Sequence, residues 1–475
     1  MGVDVAGERR ASSASEAREA PAGPRLRIRG HARAATLVRT MVAGRAPHAV
    51  LIGGPAGVGK TTLALDLAAG LLCLDPDPAR RPCRDCRGCR LVDRGIHQDL
   101  HRLAPEGAGD QIRIGSREHP EDGTVRRLAI DLSLLPVEGG ARVALIERAD
   151  RMGDDAQSAL LKTLEEPPSG VTIILCADDE DRLLPTVRSR CARIRLGSVG
   201  VRDVEAILAD AGLAEPALAA RLARLSGGRP GLAATLARAP DALAARDEIA
   251  RSLLDLLGRG PAARLVAARE LAGRAAALDR LMRVAAERSG GETGGSTAVE
   301  AGGRARGRRS RSVTGLGPEL SPAIGTTTAD PAMTDEGPEA ATRQAEDDAA
   351  EETAPAGPAG AAPAAERRRA AAVIVGLWRD LTRDLLVVLL GSEREVRDPA
   401  LLDDLRAAAG SMATAPAGGG SVRGLSDFLG RLDEAGELLE ANVRAELILD
   451  TLLLAWPTVG TPTPIGPPPA RSVRR

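Results

Sequence analysis

Between Arg25 and about Leu196 the chain alternates short, unbroken apolar runs with longer stretches whose apolar residues recur at helical spacing. His48–Gly54 (HAVLIGG), Arg142–Glu147 (RVALIE) and Val171–Ala177 (VTIILCA) read as buried strands. Between the last two, Ala156, Leu160, Leu161 and Leu164 keep helical spacing, and Pro167-Pro168 stops that helix. Strand, helix and strand in this order predict a three-layer α/β domain around a mostly parallel sheet, over residues 25–198.

Beyond Val201 the pattern becomes Ala/Leu-rich and helical, interrupted at Ser226–Gly231 (SGGRPG), which predicts a small all-α lid over 199–258. Helix continues over 259–288 as the start of a further all-α unit. Residues 289–365 lose apolar periodicity, with a basic cluster at Arg304, Arg306, Arg308, Arg309 and Arg311 ahead of an acidic stretch from Glu346 to Glu352. That composition predicts a disordered insertion, and the acidic stretch favours a solvated linker over a nucleic-acid contact. Periodicity returns over Arg369–Leu390 and Val422–Leu454, giving a C-terminal all-α unit over 366–457; a disordered leader (1–24) and a Pro-rich tail (458–475) are expected to flank the whole.

Aromatic residues make up 1% of the chain (Trp378, Phe428 and Trp456), so its cores are built from Leu, Val, Ile and Ala and offer no platform for stacking single-stranded bases. A formal net charge of -1 excludes a whole-protein field that draws in nucleic acid, and points to protein partners. No apolar run reaches the roughly 18 to 20 residues that span a bilayer, and the N-terminus lacks a signal-peptide pattern, so the expectation is a cytoplasmic protein without a membrane partner.

Two motifs carry chemistry. Gly54-Pro55-Ala56-Gly57-Val58-Gly59-Lys60-Thr61 fits G-x4-G-K-[ST] between a predicted strand and a predicted helix starting at Thr62. Gly54, Gly57 and Gly59 let backbone N–H groups curl around phosphate, Lys60 reaches the β/γ phosphates and Thr61 holds Mg²⁺, so ATP with Mg²⁺ is the expected ligand. Cys73, Cys83, Cys86 and Cys89, spaced C-x9-C-x2-C-x2-C, predict a structural zinc knuckle over 73–89, because four thiolates close a tetrahedral shell and leave no place for substrate. Cys176, in an apolar run, reads as packing.

Hydrolysis at a P-loop needs an acid at the end of a neighbouring strand to hold magnesium, and commonly a second to orient water. Here the strand ends in Glu147-Arg148. Glu147 serves as the metal-side acid, whereas a permanently protonated guanidinium cannot act as base. Asp178, ending the next strand, would face the γ-phosphate and repel it.

The segments Leu160–Pro168 (LLKTLEEPP) and Leu184–Cys191 (LPTVRSRC), with the P-loop, the four cysteines and His97-Gln98-Asp99, resemble the bacterial replicative clamp-loader family of AAA+ proteins, most closely its delta-prime members. The resemblance spans roughly Arg25 to Gly231 and resumes more weakly at Asn442–Leu454, which looks like the last collar helix. It implies a hetero-pentameric ring of the DNA polymerase III holoenzyme, with gamma/tau and delta subunits as neighbours, that loads the sliding clamp on primed DNA. Ser189-Arg190-Cys191 matches the family's arginine-finger motif, making Arg190 the candidate catalytic residue, acting in trans; Arg188 stands outside the triplet.

Active ATPase members carry Asp-Glu where this chain has Glu147-Arg148, a Thr or Asn near Asp178, and a lid arginine aligning close to Pro230, which leaves Arg229 as a stand-in. The leading expectation is therefore a delta-prime-like subunit with weak or no ATPase of its own. The alternatives are a gamma/tau-like motor subunit and a stand-alone zinc-containing nucleotide switch.

Overall fold

A computed structural model describes residues 23–106, 110–138, 140–292, 363–413 and 422–457. The expected leader, insertion and tail lie outside the described residues, apart from residues 23–24, 289–292 and 363–365. The strands β1 (Ala49–Gly53), β2 (Leu100–Leu103), β3 (Arg142–Ile146), β4 (Val171–Ala177) and β5 (Ala192–Arg195) form one parallel sheet, ordered β2-β3-β4-β1-β5.

Every residue of β1, β3 and β4 is buried, which is why these strands read as apolar runs, with Arg142 and Thr172 the polar exceptions. Successive side chains serve opposite layers. Val50 and Ile52 pack with α1 (Ala32–Ala43) and α2 (Lys60–Leu71), whereas Ala49 and Leu51 lie in the core formed with α4 (Val125–Ser133) and α5 (Asp154–Glu165). The short helices α3 (Arg87–Asp93) and α6 (Pro185–Ser189) complete the domain. The edge strands β2 (LHRL) and β5 (ARIR) each contain exposed arginine and bury only part of their length, so their sequences carry little of the apolar signal.

The lid helices α7 (Val201–Asp210), α8 (Pro216–Leu225) and α9 (Pro230–Arg238) enclose their own apolar cluster around Val204, Leu208, Leu222 and Leu236. The next helix, α10 (Pro240–Asp255), read with the lid in the sequence, contributes Ile249, Leu253 and Leu254 to a larger core. That core is shared with α11 (Pro261–Glu292), α12 (Ala364–Leu389), α13 (Leu402–Ala413), α14 (Val422–Glu440) and α15 (Ala445–Ala455). Trp378, Phe428 and Trp456 meet at its centre, with ring centroids 4.8 to 5.2 Å apart. Partly buried ion pairs join lid to collar: Arg221 of α8 reaches Asp247 at 2.7 Å and Asp398 at 3.0 Å.

No described helix is long and apolar enough to cross a membrane. A parallel α/β sheet domain is thus followed by a small helical unit and a larger helical core.

Candidate functional site

The P-loop leaves the carboxyl end of β1, an interior strand between β4 and β5, on the side of the sheet where open α/β folds place their ligands. Gly54, Gly57 and Gly59 all have positive φ (145°, 78° and 113°). At Gly54 a Cβ would stand 2.3 Å from the Leu196 carbonyl oxygen, so only glycine fits. Gly57 carries the lid: its carbonyl accepts the Gly231 N–H at 2.8 Å, laying the first turn of α9 on the loop.

Lys60 is almost fully buried, and its ammonium donates to Gly54 O (2.7 Å), Pro55 O (2.8 Å) and Asp178 Oδ1 (2.6 Å). An ammonium has three donors, and here the chain itself satisfies all three. Asp178 is aimed by the buried Asp150, whose carboxylate accepts the Asp178 N–H at 2.9 Å. Asp150 carries no motif that singles it out in the sequence.

Thr61 and Thr62 are half-buried in the first turn of α2, and Thr61 Oγ1 lies 3.4 Å from Glu147 Oε2. Glu147 follows the last residue of β3 and is already neutralised by Arg102 of β2, which donates from Nη2 at 2.5 Å and Nε at 3.1 Å. Magnesium held by Thr61 and Glu147 would compete with that guanidinium. Arg148, in the left-handed region with φ 51°, turns away and grips both oxygens of Asp110 at 2.8 and 2.5 Å. Arg229 donates from Nε to Ser226 O at 2.8 Å and is half-buried; desolvation lowers its pKa from the ordinary value, with the charge of Asp380 opposing.

Arg190 caps the short helix α6 at the surface. Its Nη1 donates to Thr186 O at 2.9 Å and its Nη2 to Glu165 Oε1 at 2.5 Å. Arg188 is paired with Asp181 instead.

The four cysteines converge. Cys73 lies just past the end of α2, Cys86 caps α3 and Cys89 lies within it, and the sulfurs of Cys73, Cys83, Cys86 and Cys89 are all within 4.8 Å of one another. Sulfurs about 2.3 Å from a tetrahedral zinc stand about 3.8 Å apart, and Cys73 Sγ lies 3.5 Å from Cys83 Sγ and 3.9 Å from Cys86 Sγ. Backbone N–H groups of Leu74 and Cys89 point at Cys86 Sγ, at 3.5 and 3.3 Å. Burial works against ionising Cys86, but these donors outweigh it and bring the thiol down to about 7. The donor set and spacing fit a metal ion, and the cluster could bind zinc.

The cysteine loop is braced on the P-loop helix. Arg84 pairs with Asp93 and with Asp66, a fully buried residue of α2 that also accepts the N–H groups of Arg27 (2.9 Å) and Ile28 (2.8 Å). Burial raises the Asp66 pKa, opposed by those N–H groups and by Arg84. His97 and Asp99 lie before β2, at the end of the sheet away from the P-loop. Asp99 accepts the N–H groups of Val137 and Glu138, both at 2.8 Å, and so holds the turn that leads into β3.

Residues 31–199 match the protein family described as DNA polymerase III, delta subunit. Over 192 residues the chain is 39% identical to the DNA polymerase III subunit delta' of Pseudomonas aeruginosa, covering 40% of this chain and 56% of that one. It is 38% identical over 155 residues to the subunit delta' of Escherichia coli, covering 33% and 44% respectively. The DNA polymerase III subunit tau of Salmonella typhimurium is 35% identical over 161 residues, 34% of this chain and 23% of that one. The chain thus spans about half the length of these delta-prime relatives.

Proposed function

We propose that this chain, whose P-loop domain is of the delta-prime clamp-loader type, is the non-hydrolysing member of a DNA polymerase III clamp loader in the cytoplasm. It stands in a hetero-pentameric ring beside gamma/tau and delta subunits and supports ATP-dependent loading of the sliding clamp on primed DNA. Its part in the reaction is Arg190, which reaches a neighbour's triphosphate. A preorganised guanidinium there stabilises charge on the phosphoryl group being transferred. Cys73, Cys83, Cys86 and Cys89 hold a structural zinc that fixes the segment following the P-loop helix.

One observation carries this reading: the ammonium of Lys60 is saturated by Gly54 O, Pro55 O and Asp178. The pairing of Glu147 with Arg102 adds to it, since the carboxylate that would hold magnesium is already engaged, and the next residue is Arg148, a guanidinium that cannot activate water and pairs with Asp110. Gly54, Gly57, Gly59, Lys60, Thr61, Thr62 and Glu147 still supply a cradle for ATP and Mg²⁺. When bound, the nucleotide would add its charge to the interface rather than turn over.

The intact loop sequence, with the tau similarity, favours the motor subunit as the second reading. The full-length chain assayed for ATPase alone, and for co-elution with gamma/tau and delta subunits, separates the two. Negligible turnover with stoichiometric assembly supports the proposal. Vigorous turnover abolished by Lys60→Ala supports the motor.

A further inference from the structure

We infer that Glu165 is a positioning residue for Arg190, holding the guanidinium on this chain and setting how readily it is released to the adjoining triphosphate. The inference rests on the reading of Arg190 as a finger delivered in trans. The two residues come from different elements: Glu165 is the last residue of α5, and Arg190 follows the last residue of α6. One Arg190 donor is tied to its own turn, at Thr186 O (2.9 Å), while the other crosses to Glu165 Oε1 (2.5 Å). The ion pair is therefore the tie that links the finger to the body of the domain.

Both partners face solvent, with 34% of the Arg190 side chain and 48% of the Glu165 side chain exposed. A pair of this kind is weak and exchangeable. A triphosphate, carrying several negative charges on acceptors suited to bidentate guanidinium contacts, displaces a single screened carboxylate. It also repels that carboxylate. Glu165 thus lowers the net charge that Arg190 presents, and each engagement of the finger includes the breaking of this pair. The same carboxylate keeps the guanidinium from wandering while the neighbouring site is empty.

The test uses the full-length chain assembled with its gamma/tau and delta subunits, sliding clamp and primed DNA, with ATP turnover followed at sub-saturating Mg-ATP. Glu165→Gln keeps the shape of the side chain and removes its charge. Turnover should rise about two- to five-fold, the worth of an exposed ion pair, and the gain should vanish in an Arg190→Ala background. Added salt, which screens the pair in the wild type, should narrow the gap between the two proteins. If Arg190→Ala impairs turnover but Glu165→Gln leaves it unchanged or lowers it, the positioning role is overturned and the finger stands. A gain that persists without Arg190 overturns the positioning role as well. If Arg190→Ala itself has no effect, the finger reading fails first.

Discussion

Lys60 Nζ lies 2.6 Å from Asp178 Oδ1, so the loop lysine meets a carboxylate of its own chain where a phosphate would otherwise be drawn. The pair is mostly sheltered, with 7% of the lysine side chain exposed and 29% of the aspartate. Asp178→Asn keeps the backbone N–H that Asp150 accepts and removes the competing charge. A charge-assisted hydrogen bond of this kind is worth about 1.5 to 3 kcal/mol, so Mg-ATP binding to the isolated chain should tighten roughly tenfold or more. Calorimetric titration checks this, and unchanged affinity would show that Asp178 does not block the loop.

The cysteine cluster makes a second prediction. Wild-type protein should carry a full equivalent of zinc by elemental analysis, and Cys86→Ser should lose it and lower the unfolding temperature of the P-loop domain, because metal binding is coupled to folding. Both tryptophans lie in the collar core, so tryptophan emission should stay unchanged while circular dichroism reports the loss. Full zinc retention by Cys86→Ser would contradict the tetrahedral site.

The buried imidazole of His97 gives a pH dependence. Burial lowers its pKa from the ordinary value, and its Nδ1 accepts the Asp99 N–H at 3.1 Å, so the folded protein holds the ring neutral. The unfolded chain takes up the proton at about pH 6.5. Stability tied to His97 is thus complete above that value and is lost as pH falls through it toward the lowered folded-state pKa. His97→Asn offers an acceptor without the titration, and its melting temperature should fall less than that of the wild type between about pH 7 and pH 5.5. Parallel curves would assign the acid sensitivity to other groups.

Arg264 is buried in the collar with its donors spread over the carbonyl oxygens of Leu256, Leu257, Arg259, Leu453, Trp456 and Pro457. It ties the turn before α11 to the end of α15, across the long segment that separates them in sequence. Arg264→Met keeps most of the volume but leaves these carbonyls unsatisfied, which costs about 3 kcal/mol or more in total. In urea, the red shift of Trp378 and Trp456 emission should move to clearly lower concentration. A midpoint within error of the wild type would refute the tie.

Much of the architecture was legible because burial on both faces writes itself into sequence: β1, β3 and β4 are buried throughout and apolar except at Arg142 and Thr172, and the loop glycines are demanded by positive φ. The edge strands were not, since β2 and β5 alternate buried positions with exposed charge. For the same reason the P-loop and the cysteine spacing could be read locally, whereas Arg102, Asp110, Asp150 and Glu165 could not. Each is an ordinary charged residue until tertiary structure sets it against Glu147, Arg148, Asp178 or Arg190. The sequence placed the charge of Asp178 near the phosphate site; its pairing with Lys60 comes from the structure alone.

The central claim, that this chain lends Arg190 to a neighbour's ATP and does not split its own, is tested most directly by DNA-stimulated ATP turnover of the reconstituted loader. Turnover with Arg190→Ala should fall by about two orders of magnitude at the one site the residue serves, with assembly on gel filtration intact, while Lys60→Ala leaves turnover near the wild-type rate. Full activity of Arg190→Ala together with a collapse in Lys60→Ala would contradict the account.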